Sequence, residues 1–499
     1  MAMAQSLIHW VWQRRMPVYL LRGIWVLVIV WYELGTFHYS SLLCQWPLLA
    51  TQSTTNVMDS NKHVLIVADP QIPDRHSYPD RPVVIQALSQ FIVDMNLRKS
   101  WQALMWVGKR PDVIVFAGDM MDNGRADVSL VEYQEYYSRF RSIFRTYGIP
   151  ALYIPGNHDV DLKRVHSSEE AHSRYLAHFG PLNQVTQVGN HTLVLIDALG
   201  LVEEDYARMQ ASQSFRQWQS KPGGTIEFVS HFGADKQHGR KTILFTHVPL
   251  YRPNDASCGP NRERGNIHQG GGIDAGYQNI VGKSASEFIL ENIKPSLVFS
   301  GDDHDACEIL HPFHDHEVLE VTVKSMSIAM GVQRPGVQLL TLGSEPSLSQ
   351  CQRLCLLPNQ LGIYLNIYLP LFLISLLVLM LSNWRRVATR TQQLEHDTYR
   401  LAPSHRSRYS EEDAMNFDAE GDQWTSLPRH NRTRSSSKGL EWTDGRVASF
   451  CVSIFTGRVT KQTLQRTFLR GFGMDCLTVA VVPLIVFFAL AWLSGVMGA

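Results

Sequence analysis

Six short apolar runs, each ending in polar or charged residues, constrain the fold of this chain more than any other feature of its sequence. Each run is rich in Val, Ile and Leu, and its length suits a strand that is buried on both faces. The runs occupy residues 63–70, 112–119, 151–159, 192–199, 241–249 and 295–305. Helical patterns at 82–107, 128–147 and 168–179 separate the early runs, which predicts an α/β sheet with helices on its faces. The later stretches EVLEVTVKSMS and GVQLLTLG predict further strands, of antiparallel type.

Potential metal ligands follow these runs at their carboxyl ends. They are Asp69, Gln71, Asp119, Asp122, Asn157, His158, Asp159, His247, Asp302 and His304. In an open α/β sheet this edge is where ligands bind, so we expect the loops to converge on one crevice. Oxygen and imidazole ligands suit divalent first-row metals. Two such ions can hold a phosphate and supply hydroxide at neutral pH, and we expect them to neutralise the dense charge of residues 302–305.

The order D-x-Q, GDxxD, GNHD, a later TH and GDDH resembles that of the calcineurin-like metallophosphoesterases. This resemblance covers residues 63–345 and implies a four-layer α/β/β/α sandwich with a binuclear metal site. The implied ligands are Asp69 and His304 for the first metal, Asn157 and His247 for the second, and Asp119 as the bridge between the two.

The same resemblance implies the catalytic roles. His158 would contact the phosphate and protonate the leaving oxygen as a general acid. Asp119 would hold both metals, while Asp122 and Asp159 would support loops or orient the ligands. The implied reaction is attack on a phosphoester by hydroxide that the metals activate.

Two positions depart from the family pattern, which usually has D-x-H at the first motif and GHxH at the last. Gln71 and Asp302 stand where histidine ligands are usual. Both are predicted as ligands here, Gln71 only weakly and through its amide oxygen. Oxygen in place of imidazole hardens the site, which favours Mn²⁺ over Zn²⁺.

The motifs DPQ and GDDHD, with an apolar segment before the catalytic domain, look like the fungal branch of the ethanolamine-phosphate phosphodiesterases that remodel glycosylphosphatidylinositol (GPI) anchors. The resemblance implies a lipid-linked GPI glycan as the substrate. It implies removal of an ethanolamine-phosphate side branch from a mannose, by preference the first. Lys+Arg and Asp+Glu are balanced at 46 each, so composition does not point to a nucleic-acid partner.

Three apolar segments, each long enough to cross a membrane, predict a membrane-embedded protein with helices near both ends of the chain. They are residues 17–37, 361–381 and 476–496. The first lacks a small-residue cleavage site, so we interpret it as a retained anchor rather than a signal peptide. Basic flanks predict that 1–16 and 382–474 are cytosolic, the latter largely disordered, and that the domain at 38–360 is lumenal. The GPI substrate implies the endoplasmic reticulum membrane, with cycling to the Golgi left open.

Five of the seven cysteines fall within the predicted lumenal segment, where disulfides are stable. Cys351 and Cys355 are close enough in sequence for a local pair. Because five is odd, at least one of these cysteines has no partner within the chain. The sequon at Asn190 lies in the same segment, which predicts glycosylation of Asn190.

The glycine-rich loop at 252–282 follows the motif of His247 and is either a functional loop or a solvated insertion. In the first interpretation, Arg262 and Arg264 contact phosphate and Tyr277 packs on a sugar.

Other functions stay open from sequence alone. One is a lumenal phosphomonoesterase or protein phosphatase. Another is a non-catalytic membrane receptor, or a metal-buffering protein, on a phosphoesterase fold. The departures at Gln71 and Asp302 favour the non-catalytic alternatives, whereas Asp119 and the histidines favour an enzyme.

Overall fold

The structure is a computed structural model, and it describes residues 2–49, 61–106, 110–161, 169–235, 240–272, 277–344, 350–401 and 461–496. Contacts between residues divide the chain into two units. The smaller comprises Met1–Arg22 and Leu373–Val481, and the larger comprises Gly23–Phe372 and Val482–Ala499. All the candidate ligands belong to the larger unit.

The strands of the larger unit form two mixed sheets and a short ribbon. They are β1 (Lys62–Val67), β2 (Val113–Phe116), β3 (Ala151–Tyr153), β4 (Gln184–Val188), β5 (His191–Leu195), β6 (Lys241–Phe245), β7 (Gly271–Gly272), β8 (Tyr277–Gln278), β9 (Leu297–Ser300), β10 (Cys307–Phe313), β11 (His316–Thr322), β12 (Gly336–Leu342) and β13 (Cys351–Leu356). The order is β13-β12-β1-β2-β3 in one sheet and β10-β11-β9-β6-β5-β4 in the other, while β7 pairs with β8.

Parallel pairing brings strand ends together at one edge of each sheet. Strands β1, β2 and β3 are parallel to one another, and so are β5, β6, β9 and β11. Strands β12 and β10 add antiparallel partners to β1 and β11. Each of the six runs in the sequence therefore contains a strand, and the two later stretches contain β11 and β12, as predicted.

The helices cover the sheets and extend the chain at both ends. They are α1 (Ala2–Val30), α2 (Thr36–Leu43), α3 (Val83–Trp106), α4 (Leu130–Ile143), α5 (Asn157–Val160), α6 (Glu169–His178), α7 (Ala198–Gln210), α8 (Thr225–Ala234), α9 (Lys283–Ile293), α10 (Gln360–Ile363), α11 (Leu369–Leu401) and α12 (Lys461–Val496). Helices α3, α4 and α6 confirm the predicted helical stretches. Side-chain caps set some of the boundaries: Ser129 caps α4, and Asp197 accepts hydrogen bonds from the first backbone amides of α7.

Alternating burial along the strands produces the four layers. In β1, Val64 and Ile66 belong to an apolar cluster that also contains Phe245 of the second sheet, so they lie between the sheets. Leu65 and Val67 belong to a second cluster, which includes residues of the covering helices. The α/β/β/α sandwich is therefore confirmed.

Three helical segments are long and apolar enough to cross a membrane: Arg15–Leu43, Gln360–Leu394 and Thr463–Gly495. They overlap all three predicted segments and indicate a multi-pass membrane protein. Two charged residues within the first segment have partners, because Glu33 accepts a hydrogen bond from Lys99 and Arg22 donates to the carbonyl of Thr478. Which side of the membrane each loop occupies stays a prediction.

Helix also extends into both ends of the predicted cytosolic loop. Helix α11 continues to Leu401, and α12 begins at Lys461. Residues 402–460, on which most of the predicted disorder falls, lie outside the described residues.

The disulfides differ from the predicted local pair. Cys355 pairs with Cys44 across 311 residues of sequence, and Cys258 pairs with Cys307. Cys351 is free. Cys351 and Cys355 both lie on the extended strand β13, where residues four apart are about 13 Å from each other, and a disulfide needs Cα atoms within about 7 Å. The odd cysteine that the count predicts is thus Cys351.

Candidate metal centre

Three strand ends bring Asp69, Asp119 and His247 together between the two sheets. Asp69 follows β1, Asp119 follows β2 and His247 follows β6. All three side chains are buried, and one ligand atom from each lies within 4.8 Å of the others. Two carboxylates and an imidazole at this spacing can share a divalent metal ion.

An unusual backbone conformation directs the candidate ligands into this space. Five residues of the site have left-handed φ angles: Asp69 (48°), Gln71 (34°), Asp119 (55°), Asp302 (64°) and His304 (68°). Non-glycine residues adopt this region at an energetic cost, and such residues concentrate at functional sites. The chain therefore turns sharply where each strand ends, and the turn points the polar side chain at its neighbours from other strands.

The hydrogen bonds of His247 fix its tautomer. Its Nδ1 lies 2.8 Å from the carbonyl oxygen of Ala117 and donates to it. The lone pair on Nε2 then faces Oδ1 of Asn157 at 3.1 Å and Oδ1 of Asp119 at 3.4 Å. Three acceptors cannot satisfy one another, so a cation between them is the natural partner. A backbone carbonyl that orients a histidine in this way is common at metal sites.

Asp69 and Asp302 show most clearly that the site suits a cation. Oδ2 of each carboxylate is buried and has no hydrogen-bond partner in the described part of the chain. Burial raises the pKa of Asp69 well above its ordinary value, and the charges of Asp119 and Asp302 raise it further. Burial, Asp119 and Asp303 do the same to the pKa of Asp302. Divalent metal would remove these penalties, so the residues fit the ions that the motif implies.

Asp119 lies at the centre of the cluster. Its Oδ1 accepts from the backbone N–H of His158 at 2.9 Å, and its Oδ2 accepts from Nε2 of Gln71 at 2.6 Å. Burial alone would raise the pKa of Asp119, but His247 and His158 outweigh burial and lower it. Nε2 of Gln71 also lies 3.2 Å from Nε2 of His304. In this geometry Gln71 joins two predicted ligands through its nitrogen, and ligation through its oxygen stays a prediction.

His304 and His158 have different environments. Burial lowers the pKa of His304 to about 4, so its imidazole is neutral at neutral pH and can act as a ligand. His158 keeps about a quarter of its side chain exposed, at 25%. Its Nδ1 donates to the carbonyl oxygen of Asp122 at 2.5 Å, which leaves Nε2 available to a substrate.

Asp159 and Asp122 connect the loops around the site. Asp159 accepts hydrogen bonds from the backbone amides of Met120, Met121 and Gly156 at 3.0–3.3 Å. Burial raises the pKa of Asp159 to about 8. Asp122 accepts from the hydroxyl of Ser77, which belongs to the loop after β1. The two carboxylates thus bind neighbouring loops, and their supporting roles stay a prediction.

From the sequence we expected metal to neutralise the whole acidic stretch after β9. The structure instead shows that basic side chains of the protein offset part of that charge. Asp303 pairs with Arg262, and Asp305 accepts from Nζ of Lys324 at 2.6 Å. Asp305 also accepts from the backbone amides of Glu263 and Arg264. The carboxylate of Asp302 faces the cluster, with Oδ1 at 3.6 Å from Nε2 of His247, whereas protein cations offset the charges of Asp303 and Asp305.

The predicted substrate contacts lie beside this stretch. The guanidinium of Arg262 is held by Asp303, and Arg264 donates to the carbonyl oxygen of Met330 at 2.8 Å. Tyr277 lies near Asp302, and its hydroxyl partly offsets the raised pKa of that carboxyl. Contact of these three residues with substrate stays a prediction.

The sequence analysis did not identify two residues that support the site through hydrogen bonds and an ion pair. Ser325 donates from its hydroxyl to the carbonyl oxygen of Asp69 at 2.8 Å, and Lys324 is buried against Asp305. Both lie in VTVKSMS, whose alternation predicts a strand. The signal that was available is the lysine itself, since a lysine in a buried strand requires an acidic partner.

Comparison with known proteins agrees with this geometry. The profile of the family described as Calcineurin-like phosphoesterase matches residues 62–306. The chain is 33% identical over 335 residues to Cell division control protein 1 of Saccharomyces cerevisiae, covering 65% of this chain and 64% of that protein. It is 26% identical over 325 residues to Metallophosphoesterase 1 of Cricetulus griseus, covering 60% of this chain and 74% of that protein. The match thus spans less than two thirds of the Saccharomyces protein.

Solved structures show a weaker similarity. Vacuolar Protein Sorting 29 from Cryptosporidium parvum aligns with 59% of this chain and 99% of its own, at 10% identity and a TM-score of 0.22. An alignment with so low a TM-score supports no inference about the present chain.

Proposed function

Because the chain belongs to the calcineurin-like phosphoesterase family, we propose that it is a metal-dependent phosphodiesterase acting on the GPI-anchor glycan. It removes an ethanolamine-phosphate side branch from a mannose, by preference the first. The observation that carries the hydrolytic function is the buried group of Asp69, Asp119 and His247. Two carboxylate oxygens at this site have no hydrogen-bond partner among the described residues. The likeness of DPQ and GDDHD to the GPI-remodelling branch supports the substrate.

Two divalent ions, Mn²⁺ by preference, are proposed for this site. The residues that would hold them are Asp69, Asp119, Asn157, His247, Asp302 and His304. When bound, the ions offset phosphate charge and lower the pKa of water toward neutrality. Gln71 is proposed to fix the orientation of Asp119 and His304 from its amide nitrogen.

His158 is proposed to protonate the leaving oxygen. Its backbone N–H binds Asp119, so the side chain starts at the centre of the site. Its Nδ1 is committed to the carbonyl of Asp122, which orients the ring and leaves Nε2 to exchange a proton with substrate. A mannose hydroxyl is a poor leaving group without a proton, so this donor matters more for the natural diester than for an activated one.

We place the catalytic domain in the lumen of the endoplasmic reticulum. The disulfides Cys44–Cys355 and Cys258–Cys307 suit an oxidising compartment and support this side. The apolar helices support a lipid-linked substrate, because enzyme and substrate confined to one membrane meet by lateral diffusion.

The hydrolytic function is tested with the purified full-length protein. We would measure hydrolysis of bis-(p-nitrophenyl) phosphate and p-nitrophenyl phosphate with added Mn²⁺, for wild type, Asp119→Asn and Asp112→Asn. Asp112 pairs with Lys62 away from the site and serves as the matched control. We expect the diester to be preferred and Asp119→Asn to lower turnover by about 100-fold or more. Faster monoester hydrolysis would indicate a phosphomonoesterase, and metal binding without turnover would indicate a receptor or metal buffer.

The substrate is tested in cells that lack the gene. GPI glycans are compared by mass spectrometry after rescue with wild type or Asp119→Asn. We expect the mutant to retain one ethanolamine phosphate that the wild type removes, and fragmentation identifies the mannose. Identical glycans in all strains would refute the substrate while leaving the hydrolytic function intact.

A further inference from the structure

Helix α3 is apolar on two sides. Val93, Leu97, Trp101 and Met105 recur at intervals of four and are buried in the core beneath the first sheet. A surface helix that covers a sheet normally presents polar residues on its other side. Helix α3 presents apolar residues along much of its other side as well, so that side needs a partner of its own.

The second side is a continuous stripe at intervals of three or four residues. It consists of Val84, Leu88, Phe91, Met95, Lys99 and Gln102. At about 100° per residue these positions lie on one face of the helix. The carboxyl-terminal half of the stripe is covered, with Met95 only 4% exposed. The amino-terminal half is open, since Val84, Leu88 and Phe91 are 77%, 50% and 41% exposed.

What covers the buried half is helix that is apolar enough to cross a membrane. Nζ of Lys99 binds Glu33 and lies over the rings of Phe37 and Phe487. Nε2 of Gln102 donates to the carbonyl oxygen of Ser494 at 2.5 Å. All these partners fall within two of the three candidate membrane spans.

The two contacts with α12 lie toward one end of that span. Gln102 meets Ser494 near the end of the span, and Lys99 meets Phe487, which is about 10 Å earlier along that helix. The carboxyl-terminal part of α3 therefore packs near one end of the span.

We propose that Val84, Leu88 and Phe91 contact membrane lipid and hold α3 in the surface of the bilayer. The open half of the stripe is continuous with a face that already packs on membrane helices, so lipid is the partner that its position favours. Leu130 and Val131 are also exposed, at the start of helix α4, which Arg139 joins to Asp94 of α3. Interfacial helices bind membranes through apolar faces of this kind.

A consequence concerns the metal centre. Helices α3 and α4 follow β1 and β2, so they begin at the edge of the sheet that carries Asp69 and Asp119. Lipid contact at the start of these helices brings that edge to the membrane surface. The proposal requires only the membrane spans and does not depend on the substrate.

The test uses a photoreactive residue in the full-length protein. Benzoylphenylalanine replaces Phe91, Leu310 or Leu373 in protein reconstituted into phosphatidylcholine–phosphatidylethanolamine vesicles. Leu310, on β10, is 55% exposed and serves as the matched control, while Leu373, in the second span, is 55% exposed and serves as the positive control. After irradiation, lipid adducts are counted by mass spectrometry. We expect Phe91 to give at least fivefold more lipid adduct than Leu310.

Two results would overturn the proposal. Lipid adduct at Phe91 no greater than at Leu310, with Leu373 labelled normally, would show that the face does not meet the bilayer. Adduct from Phe91 to a second protein chain instead of lipid would assign the face to a protein partner. A second measurement tests for misfolding. Hydrogen exchange of residues 83–91 is compared between Leu88→Asp and Leu310→Asp in vesicles. We expect the exchange to increase only in Leu88→Asp, while both variants bind the same amount of Mn²⁺.

Discussion

Asp69, Asp119 and Asp302 place three carboxylates in one buried space, and two of them have raised pKa values. Desolvation and mutual repulsion both disfavour the charged forms. Among the described residues, histidines and hydrogen bonds offset the charge of Asp119, whereas Oδ2 of Asp69 and Oδ2 of Asp302 have no hydrogen-bond partner. At the scale of single residues, these buried carboxylates therefore suit divalent cations.

Metal binding is expected to release protons. Because the pKa values of Asp69 and Asp302 are raised in the metal-free protein, these carboxyls hold protons at a pH where free aspartate would not. Metal displaces those protons. Titration calorimetry with Mn²⁺ in two buffers of different ionisation enthalpy should give different heats at a pH where these carboxyls are still protonated. Asp302→Asn should reduce the difference, and Asp112→Asn should not. Equal heats in both buffers for the wild type would contradict the expectation.

Gly156→Ala is expected to abolish metal binding. A Cβ at Gly156 would collide with the carboxylate and the backbone nitrogen of Asp119. Asp119 is buried and cannot move aside. Bound Mn²⁺, measured by elemental analysis of the purified protein, should fall by at least tenfold. Gly265→Ala is the matched control, because a Cβ at Gly265 has open space around it. Normal metal content in Gly156→Ala would show that the loop adapts.

At this scale the sequence predicted which residues converge but not how each charge is compensated. The motif order was sufficient to bring Asp69, Asp119 and His247 together. It could not show that Arg262 and Lys324 take up Asp303 and Asp305, since those cations come from other loops. Nor could it show that Gln71 faces Asp119 with its nitrogen, which depends on hydrogen bonds and not on spacing.

Elements of the second sheet are joined behind the site by Glu320 of β11. It accepts from the hydroxyl of Ser300 on β9 and from the backbone N–H of Leu250, and it binds His311 of β10 at 2.6 Å. Arg252 lies 2.8 Å from the same carboxylate. One buried side chain thus fixes the ends of β9 and of the segment after β6, which carry Asp302 and His247.

Glu320→Gln is expected to destabilise the protein at neutral pH and to change its acid sensitivity. Burial alone would raise the pKa of Glu320, but Arg252 and His311 outweigh it and lower the pKa from 4.5 to about 2. A lowered pKa stabilises the fold above 4.5, and this contribution is lost as the pH falls from 4.5 toward 2. We expect a loss of about 3 kcal/mol at pH 7.

The measurement is thermal unfolding of the detergent-purified protein at pH 7, 4.5 and 3. Glu320→Gln should be less stable than wild type at pH 7, and the gap should narrow at pH 3. Glu308→Gln, on the exposed side of β10, is the control and should follow the wild type. A difference in unfolding temperature that stays constant with pH would mean that the packing of Glu320, and not its charge, stabilises the protein.

Local sequence patterns predicted the strands and helices, but they could not predict contacts between elements that are distant in sequence. The apolar runs marked the strands, and the order of motifs implied the sandwich. The local cysteine pair failed because periodicity does not show that β13 is extended or that Cys44 lies beside it. Likewise, hydropathy found the first membrane segment but could not show that its Glu33 has a partner in α3.

Across the whole molecule, Glu33 links the membrane helices to the catalytic domain. Its carboxylate accepts from Lys99 of α3, from Gln360 at 3.1 Å and from the hydroxyl of Tyr368 at 2.7 Å. Glu33 is 1% exposed, so these bonds are sheltered from water. The first membrane helix, the start of the second and a helix of the sandwich thus meet at one carboxylate.

Lys99→Met is expected to destabilise the larger unit strongly. It leaves the carboxylate of Glu33 buried without its cation, and breaking a buried pair costs about 3–5 kcal/mol. The double variant Glu33→Gln with Lys99→Met removes both charges and should recover part of the loss. The measurement is the unfolding temperature of the full-length protein in detergent. A double variant less stable than Lys99→Met would show that the two charges do not act as a pair.

The disulfide between Cys44 and Cys355 has a mechanical consequence. It joins the chain just after the first membrane helix to the chain just before the second, and it encloses both sheets in a covalent ring. A pull between those two helices, from membrane bending or a translocating neighbour, would pass through the sulfur atoms and bypass the sandwich. The metal centre would carry no load, and a protease cut in any loop of the ring would leave the two fragments covalently joined to each other.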